Sequence, residues 1–216
     1  MFESSAAAVT ADRADTIRDL QARIRGMQRN RLDTRAIPTH PALADLLPGG
    51  ALAAGGRYQV AASTTLALTL LQGPSAAGAW CAVVGVPDLG VEAAAGLGLD
   101  LERLVLVKPP VRDGRSRVPE AAAGKLAARL RQREAVLVAL GEWPQADAAL
   151  TVAESAWAGL GSGFGHLAAR QVTVSSASAS WAGRVRSRRL WLPAADQGLA
   201  TVEPRVREVV RLHSAG

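Results

Sequence analysis

Apolar and polar positions recur along this chain with two different periods. Between Thr10 and Asn30 the apolar side chains Ile17, Leu20, Ile24 and Met27 are spaced by 3, 4 and 3, which predicts one narrow stripe on an otherwise charged helix capped by Thr10 or Asp12. A stretch holding Pro38, Pro41, Pro48, Gly49 and Gly50 follows, around a short helix at 42–47. Arg57–Ala62 reads as a strand, and a helix opens at Thr65–Leu71 after a very short turn. Trp80–Val86 (WCAVVGV) is a continuous apolar run, as a strand buried on both faces requires. Residues 91–97 are helical, Arg103–Val107 (RLVLV) is a second buried strand, and helix 120–132 leads into the strand Ala135–Leu140. Beyond a Gly-rich stretch at 159–165, Gln171–Val174 and Arg189–Leu192 have the pattern of antiparallel strands. A last helix, from Pro204 to His213, carries Val206, Val209 and Val210 on one face. Strands alternating with helices and closed by a hairpin predict an α/β fold: a mostly parallel sheet flanked by helices, with an antiparallel C-terminal hairpin and an N-terminal helix. The expected organisation is a flexible tail at 1–11, an N-terminal helical segment at 12–47, a core at 48–193 and a C-terminal tail at 194–216. There is no internal repeat.

Composition narrows the class without naming the chemistry. A chain of 216 residues, 49% hydrophobic and 20% charged, buries a core without disulfide or metal staples. Its single cysteine excludes an intramolecular disulfide and fits a reducing cytoplasm. The N-terminus lacks the basic-then-apolar pattern of a secretory signal, and no apolar run approaches the roughly 20 residues that span a bilayer. The expected location is the cytoplasm. The net charge is +6, and of the 25 basic residues only Lys108 and Lys125 are lysines. An Arg- and Ala-rich composition is also what a GC-rich genome produces, so the total charge alone is a weak pointer to nucleic acid.

The strand–turn–helix at 56–66 (GRYQVAASTTL) is where a phosphate-binding loop belongs. ATP binding calls for G-x-x-x-x-G-K-[ST], whose backbone N–H groups, lysine and hydroxyl hold the phosphates and Mg²⁺. The strand, Thr64-Thr65-Leu66 and the helix are present, but the glycines and the lysine are not. Gly124-Lys125 fails too, with Pro119 in the first Gly position and Leu126 in place of Ser/Thr. The three histidines, His40, His166 and His213, have no metal-ligand spacing with one another or with Cys81. His40 reads as a turn residue and His166 as a loop histidine. Asp88, just past a strand, reads as a helix cap rather than a catalytic carboxylate. Ser63, Thr64 and Thr65 have no His/Asp pattern near them. No catalytic residue, metal ligand or cofactor is expected.

Several segments together resemble a known family. GRYQVAAS–TTLALTLL, WCAVVGVPDLGVEAAAGLGLDLERLVLV and GKLAARLRQREAVLVAL follow one another as in the RecA recombinase core. With Leu46-Leu47-Pro48-Gly49-Gly50 before them and Arg189-Leu190-Trp191-Leu192-Pro193 after them, the chain resembles the ImuA family over residues 17–193, in particular its actinobacterial branch. These are RecA-like accessory proteins of bacterial mutagenic repair. The resemblance implies a RecA-like core and a role in translesion synthesis after DNA damage, beside an ImuB-like partner and an error-prone polymerase at the nucleoid. It also implies that the lost ATP motif is a property shared with many members, and that the catalytic glutamate of RecA falls near Pro87. One departure stands out: RecA-like cores carry a further helix and strand where this chain has only Lys108–Pro119, so it is one β–α unit short.

With catalysis vacant, surfaces carry the expectations. Arginines gather at 112–117 (Arg112, Arg115, Arg117), at 129–133, and at 184–189 (Arg184, Arg186, Arg188, Arg189). The first and last sets are candidate phosphate contacts with little base preference, and 129–133 reads as a solvated helix face. Trp181, or Trp157 and Phe164, would offer stacking faces to single strands, and by the resemblance Glu142–Gly165 is a DNA loop. The competing reading is that the arginines solubilise a hairpin and the tryptophans pack in the core. Candidate partner-binding residues are Ile17, Leu20, Ile24 and Met27, which fold back or dock on a neighbouring subunit, and Val206, Val209 and Val210, on a helix too short to stand alone. The alternative function is a protein-binding inhibitor of cell division resembling SulA.

Overall fold

The computed structural model describes residues 35–202 except 87, 110, 113–114, 117, 159–168, 195 and 197. The chain divides into two compact units, Met1–Ala36 and Ile37–Gly216, and the described residues lie almost wholly in the second. The strands of the main sheet are β1 (Arg57–Ala61), β2 (Cys81–Val84), β3 (Leu104–Val107), β4 (Val136–Leu140), β5 (Ala148–Ala158), β6 (Ala169–Ala177), β7 (Val185–Trp191) and β8 (Ala200–Thr201). The helices are α1 (Thr64–Ala76), α2 (Val91–Gly96) and α3 (Glu120–Arg133). The sheet order is β8-β7-β6-β5-β1-β4-β2-β3. The five strands from β5 to β3 run parallel, and β6, β7 and β8 extend the sheet antiparallel. This is the α/β architecture expected from the alternation of elements. The C-terminal part is larger than a hairpin, because β5 is a long strand that the hydrophobic pattern does not announce.

Two apolar layers hold the sheet. On one face Leu66, Leu70 and Leu71 of α1 and Ala94 of α2 pack on Val60, Val83, Val136, Val138, Leu150, Val172 and Leu190. On the other, Ala123 and Leu130 of α3 pack on Ala82, Val84, Leu137 and Ala139. The chain moves outward through β1, α1, β2, α2 and β3, then reverses through α3 to β4. Right-handed crossovers place α3 on the opposite face for that reason. α1 is buried nearly all round, starts at Ser63, whose Oγ accepts the Leu66 N–H at 3.1 Å, and continues through Pro74 to Ala76. It does so beside the loop at Pro38, where Gly73 leaves room for a backbone carbonyl. α3 buries only one stripe, Ala123, Ala127 and Leu130, and leaves Arg129, Arg131 and Arg133 exposed. The 129–133 cluster is therefore a solvated helix face.

β4 pairs directly with β2, Cys81 opposite Val136 through Val84 opposite Ala139. The sheet is continuous although only twelve residues, 108–119, join β3 to α3. Within that connection Val111–Arg112 and Arg115–Ser116 form a small antiparallel ladder. β2 is buried at every position, as its apolar run requires. β3 is not: it is the last strand of the sheet, with Val105 and Leu106 exposed. The expectation of a second fully buried strand fails because an apolar run does not reveal its place in a sheet.

Two identical substitutions are expected to act with opposite signs. A methyl group at Gly73 would run into the Pro38 carbonyl, so Gly73→Ala destabilises by about 2 kcal/mol or more. Gly124 lies on the exposed side of α3 with nothing within 4 Å of a new methyl, so Gly124→Ala stabilises by about 1 kcal/mol. Urea unfolding of both variants checks the pair. A second expectation concerns Cys81, whose burial, aided by the Asp100 charge, pushes the thiol from 9.0 up to about 12. The native thiol resists alkylation at pH 8 and reacts once denaturant is added. Because its folded value is raised, the stability it contributes is intact below pH 9 and falls as pH rises toward 12, by roughly 1.4 kcal/mol per unit at most. Tyr58, buried with its hydroxyl accepting the Ala53 N–H at 2.7 Å, is shifted upward by burial too and acts in the same direction.

Candidate nucleic-acid interface

The C-terminal ends of the parallel strands are where an α/β sheet presents its ligand crevice. At that end of β1 only Ala62 and Ser63 separate the strand from α1, and Ala62 adopts φ +63°. Ser63 spends its hydroxyl on the helix cap. A loop of this length has no run of backbone N–H groups to wrap a triphosphate. Lys108 follows the edge strand β3, and Lys125 is exposed on α3, so neither lysine lies on β1 or α1. Gly85, at φ +85°, ends β2 so close to the Leu140 carbonyl that a side chain would collide there. Asp88 is exposed but does not cap α2, which begins after Gly90 with no side-chain cap. Its expected structural role is thereby corrected. His40 is the turn residue that its sequence setting suggests: its Nδ1 accepts the Ala42 N–H at 3.2 Å. Among the described residues no group of three or more His, Cys, Asp and Glu side chains is arranged to hold a metal, and no helix is long and apolar enough to cross a membrane.

The opposite end of the β1 region is polar and closed. The Asp147 carboxylate accepts the Arg57 backbone N–H at 2.9 Å and lies 3.5 Å from its guanidinium, and the Gln59 side chain accepts the Trp143 N–H at 3.0 Å. These bonds cover the part of the sheet that α3 does not reach. Trp143 is buried there.

The arginine cluster at 184–189 is split by strand alternation. Arg186, Arg188 and Leu190 share the side of β7 that meets the turn at Pro41–Leu46. Arg188 donates to the Asp45 carboxylate from Nε at 2.9 Å and Nη2 at 2.7 Å. Arg186 donates to the Asp45 carbonyl at 3.2 Å and sits 4.3 Å from the centre of the Trp181 ring. Trp181 thus already has one ring face occupied by a cation. Arg184, in the turn before β7, and Arg189, on the other side of the strand, are exposed and have no carboxylate partner among the described residues. Arg189 stands in one row with Thr173 and Glu154, whose side chains hydrogen-bond at 2.8 Å. The sequence shows four arginines in six positions; folding leaves two of them available for an added anion.

Within the segment read as a DNA loop, 142–165, residues 148–158 are a strand instead, and 159–165 lie outside the described residues. β5 runs from Ala148 to Ala158 and pairs with β6 along its length. Near the end of that ladder Trp157 is half exposed, with the Arg170 guanidinium 5.8 Å from its ring centre and the Arg170 Nε donating to Ser155 Oγ. Arg170 escapes a sequence reading because its partner Trp157 is fixed by strand register, and Asp45 because its partner Arg188 is fixed by the packing of a distant turn on β7. Phe164 and His166 lie outside the described residues, as do Arg117 and the partner-binding sets Ile17, Leu20, Ile24, Met27, Val206, Val209 and Val210. Arg112 and Arg115 face each other across the small ladder in the β3–α3 connection, and only their backbone is described.

Comparison with known proteins places this chain beside others without a stated activity. Residues 45–116, 72 of the 216, match the family described as the MT3502 N-terminal domain. The chain is 32% identical over 121 residues to the uncharacterized protein Rv3395c of Mycobacterium tuberculosis strain H37Rv, across 46% of this chain. It spans 59% of the length of that relative. Among solved structures, it is similar to the KaiC-like protein PH0186 of Pyrococcus horikoshii, at 11% identity and a TM-score of 0.43, over 79% of this chain and all of the other.

Proposed function

We propose that this chain is a non-catalytic, RecA-like adaptor of the ImuA kind, acting in DNA-damage-induced translesion synthesis. In this reading it joins DNA to an ImuB-like partner and its error-prone polymerase, in the cytoplasm at the nucleoid. The observation that carries the non-catalytic part is the β1–α1 junction: two residues, a serine already committed to the helix cap, and no lysine on either element. The resemblance of the ordered core segments to ImuA supports the biological role. Support for the DNA contact comes from Arg184 and Arg189, exposed near one edge of the sheet with no acidic partner among the described residues. An interface of this kind neutralises phosphates, so it binds with little sequence preference and loses affinity steeply with salt.

Two measurements test this reading. In fluorescence anisotropy with labelled single- and double-stranded oligonucleotides, Arg184→Glu with Arg189→Glu is expected to weaken binding at least about tenfold at low salt. It should also reduce the slope of log K against log salt by about 2, one for each lost phosphate contact. Arg188→Ala is expected to change binding far less, because Asp45 already holds that guanidinium. Equal losses for Arg188→Ala and the double reversal would remove this patch from the account. Calorimetry with ATP and Mg²⁺ is expected to give no saturable heat, and a saturable isotherm would overturn the non-catalytic reading.

A further inference from the structure

The sheet ends in two unlike edges. At one, β8 is two residues long and β7 is rich in arginine, both of which discourage strand addition. At the other, β3 is Leu104-Val105-Leu106-Val107, with no charge and no proline. The neighbouring helices leave both of its faces open: Val105 is 43% exposed on the α3 side and Leu106 is 42% exposed on the α2 side. The exposure follows from the short β3–α3 connection: the layer under α3 centres on β4 and β2 and reaches β3 only at Val107, leaving Val105 uncovered.

We propose that two copies of this chain pair antiparallel through β3, forming one continuous sheet across a two-fold axis at Leu106. The backbone sets the register. The Val107 carbonyl accepts the Gly85 N–H at 3.3 Å, so Val105 and Val107 turn their hydrogen-bonding groups toward β2. By alternation Leu104, Leu106 and Lys108 turn theirs outward. Leu106 then exchanges both of its bonds with Leu106 of the second copy, Leu104 with Lys108, and Val105 meets Val107 on the same face. Each pairing joins residues of equal parity, so Leu106 meets Leu106 on one face and Val105 meets Val107 on the other.

Charge favours this arrangement. Glu102 precedes β3 and Lys108 follows it, both exposed. Asp100 and Arg103 pair with each other at 3.7 Å, so Glu102 is the net charge at the first end of the strand. Antiparallel pairing sets Lys108 of one copy opposite Leu104 of the other, at the end where the short turn Leu101–Arg103 carries Glu102, and does so at both ends, whereas parallel pairing brings like ends together. An edge of this length buries less than the roughly 800 Å² per partner of a standard interface, so the dimer is a weak one. The inference does not depend on the proposed function.

Sedimentation velocity of the full chain from about 5 to 200 µM, a range that brackets a weak interface, is expected to show a reversible monomer–dimer equilibrium. Glu102→Lys and Lys108→Glu are each expected to weaken it at least about fivefold by gathering like charges at both ends of the paired strands, and the double swap to restore it. Leu106→Cys should give a disulfide-linked dimer on mild oxidation, since directly opposed residues of a hydrogen-bonded pair have Cα atoms about 5.5 Å apart. The native Cys81 is buried and does not compete. A monomer throughout the range overturns the proposal. So does a dimer that ignores both reversals, which would place self-association elsewhere on the chain.

Discussion

The pairing of β2 with β4 is the constraint from which most of this structure follows. Residues 108–119 are too few to add another helix and strand, so the chain returns from β3 through α3 and inserts β4 between β2 and β1. Four consecutive apolar pairs, from Cys81 with Val136 to Val84 with Ala139, then join the two halves of the parallel sheet. The consequence is an uneven second layer. Among the described residues α1 and α2 serve one face, while α3 alone serves the other. The shortfall is met on one side by polar bonds, Arg57 with Asp147 and Gln59 with Trp143, and on the other is left open at β3. The short connection at 108–119 therefore costs the sheet its outer covering rather than its continuity.

Local chemistry made much of this legible. The apolar runs of β2 and β4, the very short turn before α1 and the helix at 120–132 each record a local requirement, and their elements lie where the pattern puts them. The turn at Pro41–Leu46 and its His40 cap were equally readable. What failed depended on position in the sheet. β3 and β2 have similar apolar runs, yet one is an edge and the other is central. β5 is a strand of mixed composition, stabilised by its parallel partner β1 on one side and by β6 on the other, so nothing within it announces a strand.

The candidate interface shows the same division. Counting arginines locates a basic segment, but alternation along β7 decides which of them remain for an external anion. Asp45, some 140 residues away in sequence, binds Arg188, and Trp181 takes Arg186. The Arg188–Asp45 pairing has no sequence signal, because it arises from the packing of β7 against the Pro41–Leu46 turn, whereas Trp181 stands in the turn just before β7. The lysines were the clearer guide. With only two in the chain, their absence from β1 and α1 could be read directly from sequence, and the two-residue turn between these elements agrees with that reading. We propose that function lies on the surfaces of this fold rather than at the β1–α1 junction.

The central claim is that those surfaces connect DNA with a polymerase complex. Affinity capture of the tagged chain from damage-treated cells, with and without nuclease, tests it most directly. The account predicts that translesion polymerase subunits are recovered in both conditions, with DNA present only in the untreated sample. Recovery of cell-division proteins alone, without polymerase subunits or DNA, would contradict it.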